Sequence, residues 1–492
     1  MIRMIGGEMP EYAEERPPAA GALYRHLIDR LPAGAEVLVA GPHHHDLIEV
    51  LAAGRAVTCL VRSQPDAEQL SAQGFTVLCG TLAKLTGEDR YDAVIALDGT
   101  ARLCSPEGPQ LDWADAVRVL KRALRPGGTL LLTVENELGV HRLVDPRTVT
   151  APGTAEWRPL GEFSTTPGRP DRLAAALGAE GLPVAGLAAV WPSQAEPTLM
   201  VTPETFRYGP LEPLAALSAG AVADTYREKP VLSDPRRLAA AAVRRGLGAE
   251  LAPAWIAIAQ LAARPVAVVP IPPALHLRGG RVVEGTGSLP SGRLLEELLL
   301  TAALEHDLPG LRRLLTGWMA ALPTADAANV LVDDQRYAVL DPDRPDRPDA
   351  LARFAATLAS GGYAHPWPAV TDVARLTAIL AGASGLAGAS GLAGASGLAG
   401  AAGPDSPPPA PEPAPSIRNR EHEQQLDVLR RQLADAEARS RFFEVELEKR
   451  DAELGRAKVQ IAAFSGSLAF RAAKAGLGIA RTARNRLRKG RS

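Results

Sequence analysis

Between about residues 20 and 190, the spacing of apolar residues switches repeatedly between two periods. "AGALYRHLIDRL" places Leu23, Leu27 and Leu31 at helical intervals, and "PAGAEVLVAG" then breaks into the unbroken apolar run of a buried strand. "DLIEVLAAG" returns to the helical period and closes at Gly54, and "AVTCLV" is a second strand. "PDAEQLSAQG" and "FTVLCG" predict the next helix and strand, and "YDAVIAL" a fourth strand. "LDWADAVRVLKRAL" is a helix, "GGTLLLTVE" a fifth strand, and "PDRLAAALGAEG" with "LPVAGLAAVWP" adds one more of each. This alternation predicts an α/β fold, a doubly wound and mostly parallel sheet with helices on both faces. Ligands of such sheets sit beyond the carboxyl ends of the strands, near the turn that follows the first. Here that turn reads "GPHHHD", Gly41 to Asp46.

Residues 1–200 therefore predict one domain. From 201 to 378 helical patterns dominate around one hairpin-like unit, "NVLVDDQRYAVLD", and predict a second, helix-rich α+β domain. Residues 379–416 hold "GASGLAGASGLAGASGLAGA" and then "PDSPPPAPEPAPS", a linker that is flexible first and stiffer after. In 417–464, apolar positions from Leu426 to Phe464 alternate by three and four, the seam of a coiled coil that Ser440 and Arg450 interrupt. The expected partner is a second copy or another helix. The last stretch, 465–492, is a basic amphipathic tail without acids, suited to an anionic membrane surface.

A chain of 492 residues is too long for one core. Its net charge of −2 argues against a protein that coats nucleic acid, and no aromatic platform accompanies the basic tail. Cys59, Cys79 and Cys104 are scattered, as reduced intracellular thiols are. The start lacks a secretory core, and the apolar run "AWIAIAQLAARPVAVVPIPPAL" is broken by Arg264 and Pro265. The expectation is a cytoplasmic protein, peripheral at the inner membrane face.

"VLVAG", "YDAVIAL" and above all "VLKRALRPGGTLLLTVEN" are the pieces by which residues 20–190 resemble class I S-adenosylmethionine-dependent methyltransferases. The resemblance covers about a third of the chain and implies S-adenosylmethionine as cofactor and methyl transfer as reaction. It places Gly41, Pro42, Val61, Arg62, Gly80, Thr81 and Asp98 along the cofactor edge. Several of these depart from the family pattern. Val39 stands for its first acid, His43 and His45 for later glycines, Val61 and Arg62 for the ribose-binding acid, and Thr81 for the acid beside adenine. Only a missing Cβ allows close backbone approach at such turns, so the histidines change what the turn can do. His43, His45 and Glu135 are the candidate catalytic groups, with Asn136 and His141 near the acceptor side. No metal is expected, because adjacent histidines rarely converge on one ion. "ENELG" is similar to methyltransferase-like proteins encoded with bacterial surface-polysaccharide enzymes, which implies a glycan or glycolipid acceptor. The alternative is a non-catalytic scaffold on the same fold, within a surface-polymer assembly complex.

"NVLVDDQRYAVLD" is similar to the catalytic stretch of aminoglycoside and choline phosphotransferases, with Asn329 and Asp341 at the magnesium-binding positions. Thr324 stands where the catalytic acid belongs. A plain hairpin turning at Asp333 and Asp334 is the favoured reading.

Overall fold

The computed structural model describes residues 1–385, except 15, 87–90, 107, 145–164, 227–228, 230, 262–268, 361–364, 369 and 371. The linker, the coiled coil and the basic tail expected beyond residue 385 lie outside the described residues.

An 11-stranded sheet organises the first 284 residues. In chain order its strands are β1 (Ile2–Gly6), β2 (Glu36–Ala40), β3 (Ala56–Val61), β4 (Thr76–Gly80), β5 (Tyr91–Ala96) and β6 (Leu124–Glu135). These are followed by β7 (Val184–Trp191), β8 (Leu199–Val201), β9 (Ala254–Gln260), β10 (Ala274–Arg278) and β11 (Arg281–Glu284). Across the sheet they stand β1-β4-β3-β2-β5-β6-β9-β7-β8-β10-β11. The ladders from β1 to β6 are parallel. From β6 onward every ladder is antiparallel, beginning with β9, which lies between β6 and β7. The chain winds outward from β2 through β3 to β4, then returns to β5 on the other side of β2. The β2–β5 crevice is the switch point, where this architecture binds ligands.

The two faces follow from the pleat of β2. Val37 and Val39 turn to one side, where they pack with Leu23 and Leu27 of α1 (Ala22–Ile28) and Leu47, Ile48 and Leu51 of α2 (His45–Ala52). Ala67 of α3 (Gln64–Ala72) completes that layer. Leu38 and Ala40 face the opposite layer, with Val117 and Leu120 of α4 (Trp113–Ala123) and Leu173 and Leu177 of α6 (Pro170–Ala179). Each fully buried Leu or Ile contributes about 1.5–3 kcal/mol relative to exposure, so this two-sided burial fixes the strand register. Between β6 and α6 lies the short α5 (Val140–Val144). Helices α7 (Pro203–Tyr208), α8 (Leu211–Thr225) and α9 (Pro235–Arg244) sit between β8 and β9 in the chain and add to the second face.

A boundary after residue 200 does not hold. β8, β9, β10 and β11 all join the main sheet, and β9, "AWIAIAQ", is buried at every residue. Such a run has no period to announce a strand, and it is hydrogen-bonded on both edges. A separate core begins only near Leu295. It is formed by α10 (Leu295–Leu304), α11 (Leu308–Ala321), α12 (Ala350–Ser360) and α13 (Val373–Ala383) around Trp318 and Phe354. A small sheet of β12 (Arg293–Leu294), β13 (Val330–Asp333) and β14 (Arg336–Val339) joins them. β13 and β14 make the expected hairpin, with Asp334 at φ 55° in its turn. Asn329 clamps the far end: its Nδ2 donates to the Asp341 carbonyl and its Oδ1 accepts from the Asp341 amide, each at 2.9 Å.

Candidate functional site

The carboxyl edge of the parallel strands carries the residues the sequence nominated for cofactor and catalysis, but the chain itself occupies much of that edge. After β1, residues 7–14 and 16–20 form a strap that runs across it. The Met9 amide donates to the Arg62 carbonyl at 2.8 Å, the Gln64 amide to the Met9 carbonyl at 3.1 Å, and the His44 amide to the Ala19 carbonyl at 2.8 Å. The Ala19 amide donates to the Pro42 carbonyl at 3.2 Å.

The turn after β2 keeps a glycine geometry. Gly41 has φ +91°, and a Cβ there would come 3.3 Å from Leu103 Cδ2. Leu103, 3% exposed, belongs to the loop after β5 and covers the turn. His43 is buried and bonded at both ring nitrogens. Nδ1 donates to the Gly41 carbonyl at 3.0 Å, and Nε2 accepts from the Leu97 amide at 3.1 Å. The imidazole thus ties β2 to β5 across the crevice as the neutral tautomer with its proton on Nδ1. Burial pushes its pKa down to about 4. A catalytic base needs a nitrogen free to receive a proton, so the expectation for His43 is corrected to a positioning role. His44 caps α2, and His45 lies half-exposed with Nε2 2.8 Å from Asp46 Oδ1. His44, His45 and Asp46 bring one ligand atom each within 4.8 Å of one another, but Asp46 also faces Arg25 at 3.3 Å.

Arg62, at the end of β3, pairs with Glu14 of the strap, Nε to Oε1 at 2.7 Å, and its Nη1 donates to the Cys104 carbonyl at 2.7 Å. It bridges the strap to the loop after β5. Val61 is a core residue at 5% exposure. Arg102, 4% exposed, holds both oxygens of Asp98, with Nε to Oδ2 at 2.6 Å. It also donates to the carbonyls of Arg16 at 2.8 Å and Pro17 at 2.9 Å. Burial raises the Asp98 carboxyl above its ordinary range against the opposing pull of Arg102. Thr81 is fully buried and is spent on the same loop: Oγ1 lies 3.4 Å from the Leu103 carbonyl and 3.3 Å from the Ser105 amide. Gly80, at φ +151°, answers to β1, since a Cβ there would lie 2.5 Å from the Gly6 carbonyl.

Glu135, at the end of β6, accepts from His141 Nε2 at 3.1 Å and Arg142 Nη2 at 2.8 Å. Burial alone would raise its pKa, but these two partners and nearby Arg16 bring it down to about 2. It is a fixed carboxylate with little basicity. Asn136 is a clamp, donating to the carbonyls of Glu250 at 2.7 Å and Ala252 at 2.8 Å while accepting from the Leu138 amide at 3.0 Å. Sequence reading missed Glu14, Arg102 and Leu103. Only Arg102 left a trace, four residues after Asp98.

In this conformation the residues do not fit S-adenosylmethionine. Leu103 covers the glycine turn, Arg62, where the resemblance expects a ribose-binding acid, is paired with Glu14, and Arg102 takes both oxygens of Asp98. Each of these charged groups is already engaged by another part of the chain.

No protein-family model matches the sequence, and no curated protein does. Solved structures that superpose on part of the chain include three methyltransferases. The Burkholderia thailandensis 1,6-didemethyltoxoflavin-N1-methyltransferase, with bound 1,6-didemethyltoxoflavin and S-adenosylhomocysteine, is 16% identical over 48% of this chain and 75% of its own, at a TM-score of 0.25. An S-adenosylmethionine-dependent methyltransferase from Geobacter sulfurreducens in complex with S-adenosylhomocysteine is 16% identical over 51% and 95%, at 0.27. The CcbJ methyltransferase from Streptomyces caelestis is 16% identical over 51% and 94%, at 0.28. Likeness at this level carries no argument about chemistry; the switch-point sheet stands on this chain's own hydrogen bonds.

Proposed function

We propose that this chain is an S-adenosylmethionine-dependent methyltransferase whose cofactor edge is shut by its own strap, and that cofactor enters only when the strap lifts. The observation that carries the reading is how the strap is held. Among its described residues only Ala19 is buried; the rest lean on polar pairs centred on Glu14 and on backbone bonds. Once the strap lifts, these polar groups regain hydrogen bonds to water, which apolar core surface could not. Beneath it, the Gly41 turn keeps its positive φ at the switch point, and Asp98 stands across the crevice. The acceptor is proposed to be a glycan, glycolipid or related cell-surface precursor. The coiled coil and basic tail would hold the protein to a partner or copy of itself and to an anionic membrane surface on the cytoplasmic side. These finer points rest on sequence alone.

One observation favours a second reading, the non-catalytic scaffold. Arg62 and Arg102 present guanidinium groups where a cofactor-binding edge needs hydroxyl acceptors, and Glu14 neutralises them from within the chain. Titration calorimetry of the full chain and its Glu14→Gln variant with S-adenosylhomocysteine separates the two. Binding that strengthens in Glu14→Gln supports the gated enzyme. Absence of binding in both, with the variant folded, supports the scaffold.

A further inference from the structure

Away from the cofactor edge, α8 and α9 meet the C-terminal helical layer across a cleft of about 850 Å3. That volume is within the range in which proteins bury small ligands. Four cations, Lys229, Arg236, Arg344 and Arg353, line it against three carboxylates, Asp234, Glu296 and Asp326. Part of this charge is spent internally. Arg236 Nη1 donates to Glu296 at 2.8 Å and Nη2 lies 3.3 Å from Asp234. Glu296 is 6% exposed, so without that partner it would be a costly buried charge.

Two of the cations keep capacity. Arg353 gives its Nε to Asp326 Oδ1 at 2.9 Å, and its two terminal nitrogens have no partner among the described residues. The Lys229 ammonium lies 5.8 Å from the centroid of the Tyr226 ring and has no carboxylate partner among the described residues. A guanidinium fork and a separate ammonium lining one cleft suit a dianion with several oxygens better than a single carboxylate, which one fork satisfies. Asp326 is engaged through Oδ1, which leaves the acceptor lone pairs of Oδ2 for a hydroxyl group. We propose that this cleft binds a phosphate ester of a small polyhydroxylated molecule, its phosphate on Lys229 and Arg353 and a hydroxyl toward Asp326. The site is independent of the cofactor edge and of whether methyl transfer occurs there.

The test titrates the full chain with glucose 1-phosphate, with inorganic phosphate and glucose as partial probes. Lys229→Ala and Arg353→Ala are expected to weaken glucose 1-phosphate binding about tenfold each, the loss of one charge-assisted contact. Arg353→Lys, which keeps charge without the fork, should fall between. Unchanged melting temperatures without ligand would establish that the variants fold. The proposal is overturned if millimolar glucose 1-phosphate gives no heat, or if binding survives both alanine variants unchanged. Inorganic phosphate binding as tightly as the ester would overturn the hydroxyl-recognition half.

Discussion

Replacing His43 by leucine separates a positioning histidine from a catalytic one, and does so through pH. At pH 7 the change strands the Gly41 carbonyl and the Leu97 amide, which His43 now satisfies at 3.0 and 3.1 Å. Leaving a buried polar group unpaired costs about 1–3 kcal/mol, so the two together predict a loss of roughly 2–6 kcal/mol. The native imidazole resists protonation to about pH 4, whereas the unfolded side chain takes a proton near 6.5. The unfolded chain thus binds the extra proton first, and wild-type stability falls as pH drops from 6.5 toward 4. At about 1.4 kcal/mol per pH unit, the wild type loses about 2 kcal/mol between pH 7 and pH 5 that His43→Leu does not lose. Denaturant unfolding of both proteins at the two pH values measures the gap. It should narrow by that amount at pH 5. A gap of constant width, or an imidazole titrating near 6.5 in the native protein, would refute the buried, doubly bonded assignment.

Other changes probe the same edge. Gly41→Val should destabilise by roughly 1–3 kcal/mol, from its positive φ and the crowding of Leu103, seen as a lower melting temperature. For Glu135, whose folded pKa lies below the unfolded one, the ion-paired stabilisation is fully present above about pH 4.5 and vanishes as pH falls toward 2. Glu135→Gln should therefore be less stable than wild type at pH 7, with the difference disappearing in acid; a pH-independent difference would exclude the pairing. Asp112→Ala, which removes the acceptor Oδ1 that caps the Asp115 amide at 2.6 Å, should cost about 1 kcal/mol. Asn329→Ala should loosen the C-terminal hairpin equally with and without magnesium. A magnesium-dependent difference in melting would restore the metal-binding reading of that stretch.

Much of the sheet was legible because its helices are amphipathic and its central strands uniformly apolar. α2 and α4 each bury one stripe, and Gly54 and Gly74 mark the ends that the sequence predicts. The missed elements lack such patterns. β1, "IRMIG", has five residues and gains its place only by pairing with β4, a contact that no local period records. β9 is buried on all residues and reads like any apolar run. At the site, sequence identified the strand ends correctly and could not see what covers them. The Glu14–Arg62 pair joins residues 48 apart, and Arg102 reaches strap carbonyls 85 and 86 residues away. The departures at Val39, Arg62 and Thr81 were visible, but their meaning depends on partners the chain supplies from a distance.

The central claim is that strap and cofactor compete for one edge. Hydrogen exchange at the Met9 and Gln64 amides of the full chain, with and without S-adenosylhomocysteine, tests it directly, because both amides are bonded only where the strap lies down. Faster exchange on adding the ligand is the predicted result, with the same acceleration in Glu14→Gln before any ligand is added. Binding of S-adenosylhomocysteine with unchanged protection at both amides would contradict the claim.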